Sequence, residues 1–233
     1  MKRIEEKHPL AIRWFHWINF PVLAVMIWSG LLIYWANDIY HVRLETVSVH
    51  LFPSWFYHPG YHEATNKGHA LWHLDYRLAE GMAWHFLFFW FFAINGILYV
   101  SFLALSGQWR EIAPTRDSLR QAVQVVLHDL HLRKNAPSHA KYNGAQRLAY
   151  TSIVLMGAGS LVTGLAIYKP IQLSWITNLL GGYEMARFLH FWLTMGYVAF
   201  FVIHILQVIR AGWNNFRAMV TGYIIADKEA PLS

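Results

Sequence analysis

The chain has 233 residues, a mass of 27.2 kDa and a formal net charge of +6, with 56% hydrophobic and only 14% charged residues. A soluble domain carries about 25% charged residues, so this composition excludes an ordinary soluble reading and points to a membrane protein. The absence of cysteine excludes disulfides, thiolate metal sites, iron–sulfur ligation and the covalent attachment of c-type haem, so any cofactor must be held noncovalently by other ligands.

Four stretches contain no Asp, Glu, Lys or Arg: Trp14–Asn37, Gly81–Trp109, Leu148–Tyr168 and Phe188–Ile209. Each is long enough to cross a bilayer as a helix. With a cytoplasmic N-terminus, 14 of the 19 Lys and Arg residues fall on the inner side, leaving Arg43, Lys67, Arg77, Lys169 and Arg187 outside. The positive-inside rule therefore places both termini in the cytoplasm, and the basic charge belongs to topology rather than to a nucleic-acid-binding face. Lys2 and Arg3 before an apolar run resemble a signal peptide, but the run exceeds a normal signal core and no small-residue cleavage site follows Tyr34. The segment is read as retained.

The first span opens on Arg13-Trp14-Phe15-His16-Trp17 and ends near Tyr34-Trp35, aromatic residues suited to the headgroup boundary. Residues 36–78 form a long outer loop rich in Trp, Tyr and His, broken by Pro53, Pro59 and Gly60. Short surface helices and turns are expected there, with room for a partner to dock. The second span covers roughly Ala79–Leu105. In the inner loop Leu119, Val123, Val126, Leu127 and Leu130 recur at helical spacing within Asp117–Leu132, which predicts an amphipathic interfacial helix. The third span ends at Lys169-Pro170 and the fourth begins near Arg187. The expected fold is all-α: a four-helix transmembrane bundle as one domain over residues 1–222, followed by a cytoplasmic tail over 223–233. No repeat of obvious sequence similarity is visible.

Of fourteen histidines only His16, His85, His190 and His204 lie within the spans. Ionisable side chains are costly in a bilayer and usually face the bundle interior with a partner. His190 and His204 are separated by 14 residues, about 1,400° of helical rotation and about 21 Å of rise, so they share one helix face at different depths. Since successive spans alternate direction, His16 falls level with His204 near the inner boundary, and His85 level with His190 near the outer one. Two imidazoles at one level, with no carboxylate in any span, suit the axial positions of a haem iron. The competing reading is packing or proton-relay histidines. His73 is the one rival to His85 as an outer ligand, while the remaining outer-loop histidines show no recognised metal motif.

A macrocycle between helices needs neighbouring backbone to recede, which glycine allows. Gly30 lies 14 residues after His16, on its face and level with the outer pair, and Gly96 lies 11 residues after His85, three turns inward. Ordinary small-residue helix packing explains such glycines too, as it does Gly157, Gly159 and Gly164. Haem propionates need cationic partners near the boundary: Arg13, Arg147 and Arg210 are candidates inside, Arg77, Lys169 and Arg187 outside.

These features together resemble the di-haem cytochrome b subunits of membrane-bound formate dehydrogenases, Ni/Fe-hydrogenases and thiosulfate reductases, over roughly residues 8–222. Arg13-x-x-His16-Trp17 is similar to the family's first-helix haem motif, His85 matches its second-helix ligand by depth, and His190 and His204 match its paired fourth-helix ligands. Local matches include Lys141–Arg147, Thr163–Tyr168 and Arg217–Gly222. The resemblance implies two b-type haems, a bacterial inner-membrane location and a quinone site near the inner haem. Asn143, with Ala145, would lie at that site, although Asn143 also suits a helix N-cap.

The resulting expectation is a membrane electron-transfer subunit. It would pass electrons between an extracytoplasmic oxidoreductase (iron–sulfur, molybdenum, hydrogenase or multihaem) and the quinone pool, with substrate chemistry left to the partner. A stand-alone di-haem cytochrome b acting on superoxide or quinone is the alternative. A histidine-lined metal or proton transporter is a more distant one, since its path would ordinarily carry Asp or Glu.

Overall fold

The computed structural model describes residues 2–35, 41–44, 47–50, 77–129, 131–132 and 142–227. Four helices are long and apolar enough to cross a membrane: α1 (Leu10–Trp35), α2 (Leu78–Ser106), α5 (Gly144–Tyr168) and α7 (Tyr183–Ala211). Their outward side chains are large and apolar, with Trp90, Ile97, Leu105, Leu206 and Ile209 all exposed. An apolar surface of this extent belongs against lipid rather than water. The all-α membrane architecture is as expected.

Shorter elements connect and flank the spans. They are α3 (Trp109–Ile112), α4 (Ser118–Asp129), α6 (Ser174–Leu179) and α8 (Trp213–Thr221). Strand β1 (Lys2–Glu6) pairs antiparallel with β4 (Tyr223–Asp227), Lys2 opposite Asp227 and Glu6 opposite Tyr223. The first residues of the expected tail thus form a strand against the start of the chain. Strands β2 (His41–Leu44) and β3 (Val47–His50) pair with each other. Surface helices were expected in this outer segment. Its described part is instead an antiparallel pair of strands, favoured by the β-branched Val42, Val47 and Val49, and the rest of that expectation lies outside the described residues.

The chain forms two compact units. One comprises Met1–Trp17, Gly96–Ser160 and Leu193–Ser233. Within it α4, the expected amphipathic helix, is tied at both ends. Gly144 leaves no room for a Cβ against the Ser118 carbonyl and Gln121, so the start of α5 abuts α4 directly. At the other end Asp129 receives hydrogen bonds from Gln207 Nε2 at 2.9 Å and Arg210 Nη2 at 3.2 Å. The apolar side chains Leu119, Val123 and Val126 remain exposed, the surface expected of a helix lying at a membrane boundary. In the same unit α8 ends at Gly222, whose φ of +94° closes the helix with a bond from its N–H to the Ala218 carbonyl. The carbonyls of Met219 and Val220 accept hydrogen bonds from Trp17 Nε1 and Arg13 Nη1 at 3.1 and 2.7 Å.

The other unit comprises Ile18–Asn95 and Leu161–Trp192. Its buried residues are small as often as large: Ser29, Leu32, Ala166 and Ala186 are fully buried. Close helix contact through small residues is the usual way to pack helices in lipid, where burial of apolar surface supplies no drive. A Cβ on Gly81 would lie 2.9 Å from Leu32 Cβ and 3.1 Å from the Ser29 carbonyl. Glycine at this position therefore lets α2 touch the backbone of α1.

Candidate functional site

That contact positions the first histidine pair. Gly81 lies one turn before His85 on α2, so its approach to Ser29 and Leu32 brings the imidazole of His85 against Ser29-Gly30 of α1. Ser29 Oγ lies 3.0 Å from His85 Nδ1, and a Cβ on Gly30 would lie 3.3 Å from His85 Cε1. The partner histidine is held in the same way. Fully buried Ala186 lies one turn before His190 on α7, Thr163 Oγ1 lies 2.9 Å from His190 Nδ1, and a Cβ on Gly164 would lie 3.3 Å from His190 Cε1. The His85 and His190 ring centroids are 6.2 Å apart.

The correspondence extends to helix register. Ser29 lies 19 residues after the first residue of α1, and Thr163 lies 19 after the first residue of α5. His85 and His190 each lie 7 residues into their 29-residue helices. The α1–α2 pair thus repeats in α5 and α7 as an element register, although residue-by-residue similarity is too low to show it.

The second pair, His16 and His204, has ring centroids 6.1 Å apart. His204 stacks on Phe200 at 5.6 Å with only 8° between the planes. His16 Nδ1 is buried without a hydrogen-bond partner. Helix α7 therefore contributes one histidine to each pair, as expected from the 14-residue spacing.

Both spacings fit an iron between the rings. A metal–imidazole bond of about 2.0–2.1 Å, with each ring centre about 1.1 Å behind its nitrogen, puts the centres of two axial imidazoles about 6.3 Å apart. The donor sets, two neutral imidazoles with no thiolate or carboxylate, also suit haem rather than a bare divalent cation. Among the described residues no cluster of three or more His, Cys, Asp or Glu is placed to hold a metal. His73 lies outside the described residues.

The remaining expected site residues divide. Gly30 was expected to make room for a macrocycle; in the structure it lies against the His85 ring itself. Around Gly96 a Cβ would meet nothing within 4 Å, leaving open space on that face of α2. Arg13 keeps its Nε buried and unpartnered while Nη1 reaches Val220, and Arg217 also has a buried Nε without a partner. Unsatisfied guanidinium nitrogens are costly in a dry setting, so these two are the cations best disposed to an anionic group. In the sequence, Arg217 stands out only as the first residue of the Arg217–Gly222 segment. Arg147 is bound to the carbonyls of Arg110 and Ala113, and Arg210 to Asp129. Arg77 forms a two-pronged ion pair with Glu80 at 2.6 and 2.7 Å and lies over Trp28. Arg187 lies over the rings of Tyr34 and Tyr183, 3.8 Å from Glu184.

Asn143 forms a reciprocal cap with Gln146. Its N–H donates to Gln146 Oε1 at 3.0 Å while its Oδ1 accepts from the Gln146 N–H at 2.9 Å. Its side-chain N–H2 group is not used in that cap. Beside it Tyr142 stacks edge-on against Tyr150 at 5.2 Å. Burial first, then the nearby Glu111 and Tyr99, pushes the Tyr142 hydroxyl up, so it remains a protonated donor. Ala145 follows directly in the first turn of α5.

Apolar spans with two pairs of neighbouring histidines fit a membrane cytochrome b. The chain belongs to the prokaryotic cytochrome b561 family, matching it over residues 7–222. It is similar to the putative protein-methionine-sulfoxide reductase subunit YedZ1 of Azospira oryzae, 31% identical over 208 residues that cover 89% of this chain and 92% of the relative. The chain is accordingly a multi-pass membrane protein whose family carries haem b and serves electron transport.

Proposed function

We propose that this chain passes electrons across the bacterial inner membrane between an extracytoplasmic oxidoreductase and the quinone pool, holding haem b at two positions. His85 and His190 hold the outer one and His16 and His204 the inner one, with both termini in the cytoplasm. Haem b bound by two imidazoles supplies one-electron chemistry without an open coordination position. The observation that carries the reading is the repetition of one ring spacing, 6.1 and 6.2 Å, at two separate histidine pairs.

The chain's own residues serve binding and positioning. Arg13 and Arg217 offer unpartnered guanidinium nitrogens to haem carboxylates beside His16. Arg77 and Arg187 provide the corresponding cations beside the other pair, each balanced by a glutamate. Tyr142 and the side-chain N–H2 of Asn143 offer donors to a quinone carbonyl, with Ala145 keeping the approach clear.

The name of the YedZ1 relative favours a partner of reductase type acting on protein methionine sulfoxide, in which case electrons leave quinol and flow outward. Iron–sulfur, molybdenum, hydrogenase and multihaem partners fit the same chain with other directions of flow. The test is the pyridine haemochrome stoichiometry of the detergent-purified chain with His190→Ala and His204→Ala beside wild type. Two haems in wild type and loss of a different one in each variant are expected; a single haem or a colourless protein after haem-replete expression overturns the two-site reading.

A further inference from the structure

The two histidine pairs differ in what lies behind their rings. At His85 and His190 each Nδ1 meets a hydroxyl, Ser29 Oγ at 3.0 Å and Thr163 Oγ1 at 2.9 Å. At His16 the Nδ1 is buried and has no hydrogen-bond partner among the described residues, and His204 is stacked on the ring of Phe200.

The direction of the Ser29 bond follows from hydrogen count. A serine hydroxyl has one proton, and Ser29 Oγ has the Met26 carbonyl at 3.2 Å, a group that can only accept. When its proton goes to that carbonyl, Oγ accepts from His85 at the shorter distance of 3.0 Å, an arrangement that places the proton on Nδ1 and leaves Nε2 as the ligating nitrogen. Thr163 stands at the same helix position and distance relative to His190. The adjoining glycines complete the device, since Gly30 and Gly164 let each ring edge close onto its hydroxyl. Ser29 is fully buried.

We infer that Ser29 and Thr163 are positioning residues for the His85/His190 iron site: they fix the tautomer and tilt of both imidazoles and, by accepting the Nδ1 protons, make them stronger donors to iron. The inference rests on the two-haem reading. An acceptor behind a ligating imidazole raises its basicity, which favours ferric over ferrous iron and lowers the midpoint potential of that site. Among the described residues no hydroxyl bonds to His16 or His204, so that pair lacks this contribution. The fold thereby separates the electronic character of its two sites with identical ligands.

The experiment is a potentiometric titration of the purified, haem-loaded full chain, followed in the visible band and by low-temperature EPR. The midpoint lost in His190→Ala identifies the His85/His190 component. Ser29→Ala and Thr163→Val should each move that component upward and alter its ferric EPR signal, leaving the other unmoved. A tenfold loss of ferric preference corresponds to 59 mV for a one-electron couple, and the double variant should shift further than either single one. Thr163→Ser, which keeps the hydroxyl and removes only a methyl, should keep the wild-type midpoint and signal. Two haems with unchanged midpoints and EPR signals in the alanine and valine variants overturn the inference while leaving the two-haem reading intact. A shift that Thr163→Ser shares with Thr163→Val also overturns it, since the cause is then packing. Wild type with fewer than two haems removes the reading on which it rests.

Discussion

Gly30 stands against the Cε1 edge of the His85 ring, 3.3 Å from where its own Cβ would be, and Gly164 stands at the same 3.3 Å from His190. A methyl group at either position is tighter than ordinary contact, and neither ring can retreat without losing its hydroxyl partner and its spacing to the other histidine. Gly30→Ala and Gly164→Ala should therefore weaken haem retention at the His85/His190 pair, and Gly30→Val should abolish it while the other haem stays. Haem stoichiometry after gel filtration checks this. Retention of both haems in Gly30→Val would show that the ring has slack the structure does not reveal.

Asn143 has two roles that respond to different substitutions. As the reciprocal cap of α5 it should contribute about 1 kcal/mol, so Asn143→Ala lowers the melting temperature in detergent. Asn143→Asp keeps the capping oxygen but replaces the side-chain N–H2, the donor assigned to quinone. The aspartate variant should melt near wild type yet show a raised quinone KM. Equal KM in the two proteins removes Asn143 from the quinone site and leaves the cap as its whole function.

Lys7 gives a pH signature at the end of the chain where β1 leads into α1. Its Nζ donates to Asn215 Oδ1, and burial holds its ammonium below the usual lysine value. The unfolded chain therefore binds this proton more tightly than the folded one. Stability must rise with pH across the window from the lowered folded value to the ordinary lysine value of about 10.4, and below that window the burial penalty is fully present. Lys7→Met should remove this slope. The difference in melting temperature between variant and wild type, followed from neutral to alkaline pH, isolates it from other groups; a difference independent of pH would contradict the assignment.

The spans were legible because lipid tolerates so few ionisable residues that their absence marks a helix, and the histidine pairs because spacing on α7 and alternating span direction leave few ways to place four imidazoles. Other features were hidden for physical reasons. Residues 2–6 and 223–227 are too short to read as strands alone, and each finds its partner only after the four spans bring the chain ends together. Ser29 and Thr163 look like the hydroxyl residues that commonly bond back to their own helix, and only the packing of the helices brings them to the histidines, through the Gly81 contact in the case of Ser29. The register repeat carries almost no side-chain identity beyond a hydroxyl, a glycine and a histidine, so it emerges from helix boundaries rather than from sequence similarity.

Gly222 joins the end of α8 to Arg13. Its φ of +94° is a conformation that L side chains rarely adopt, and a Cβ there would also lie 3.2 Å from Arg13 Cζ and 3.3 Å from Arg13 Nε. The backbone conformation alone should make Gly222→Ala cost about 1–2 kcal/mol, and displacement of the guanidinium adds to it. Arg13 would then lose its bond to the Val220 carbonyl, and its unpartnered Nε would move from beside His16. The variant should melt lower and show a shifted midpoint for the His16/His204 haem. The shared contact predicts that Gly222→Ala and Arg13→Ala together cost less than the sum of the two alone. Strict additivity in melting would mean that the strain of Gly222 is purely backbone and that Arg13 does not feel it. Gly222→Asn, which tolerates the left-handed conformation better but still carries a Cβ, separates the contributions: it should recover most of the melting temperature while leaving the midpoint displaced.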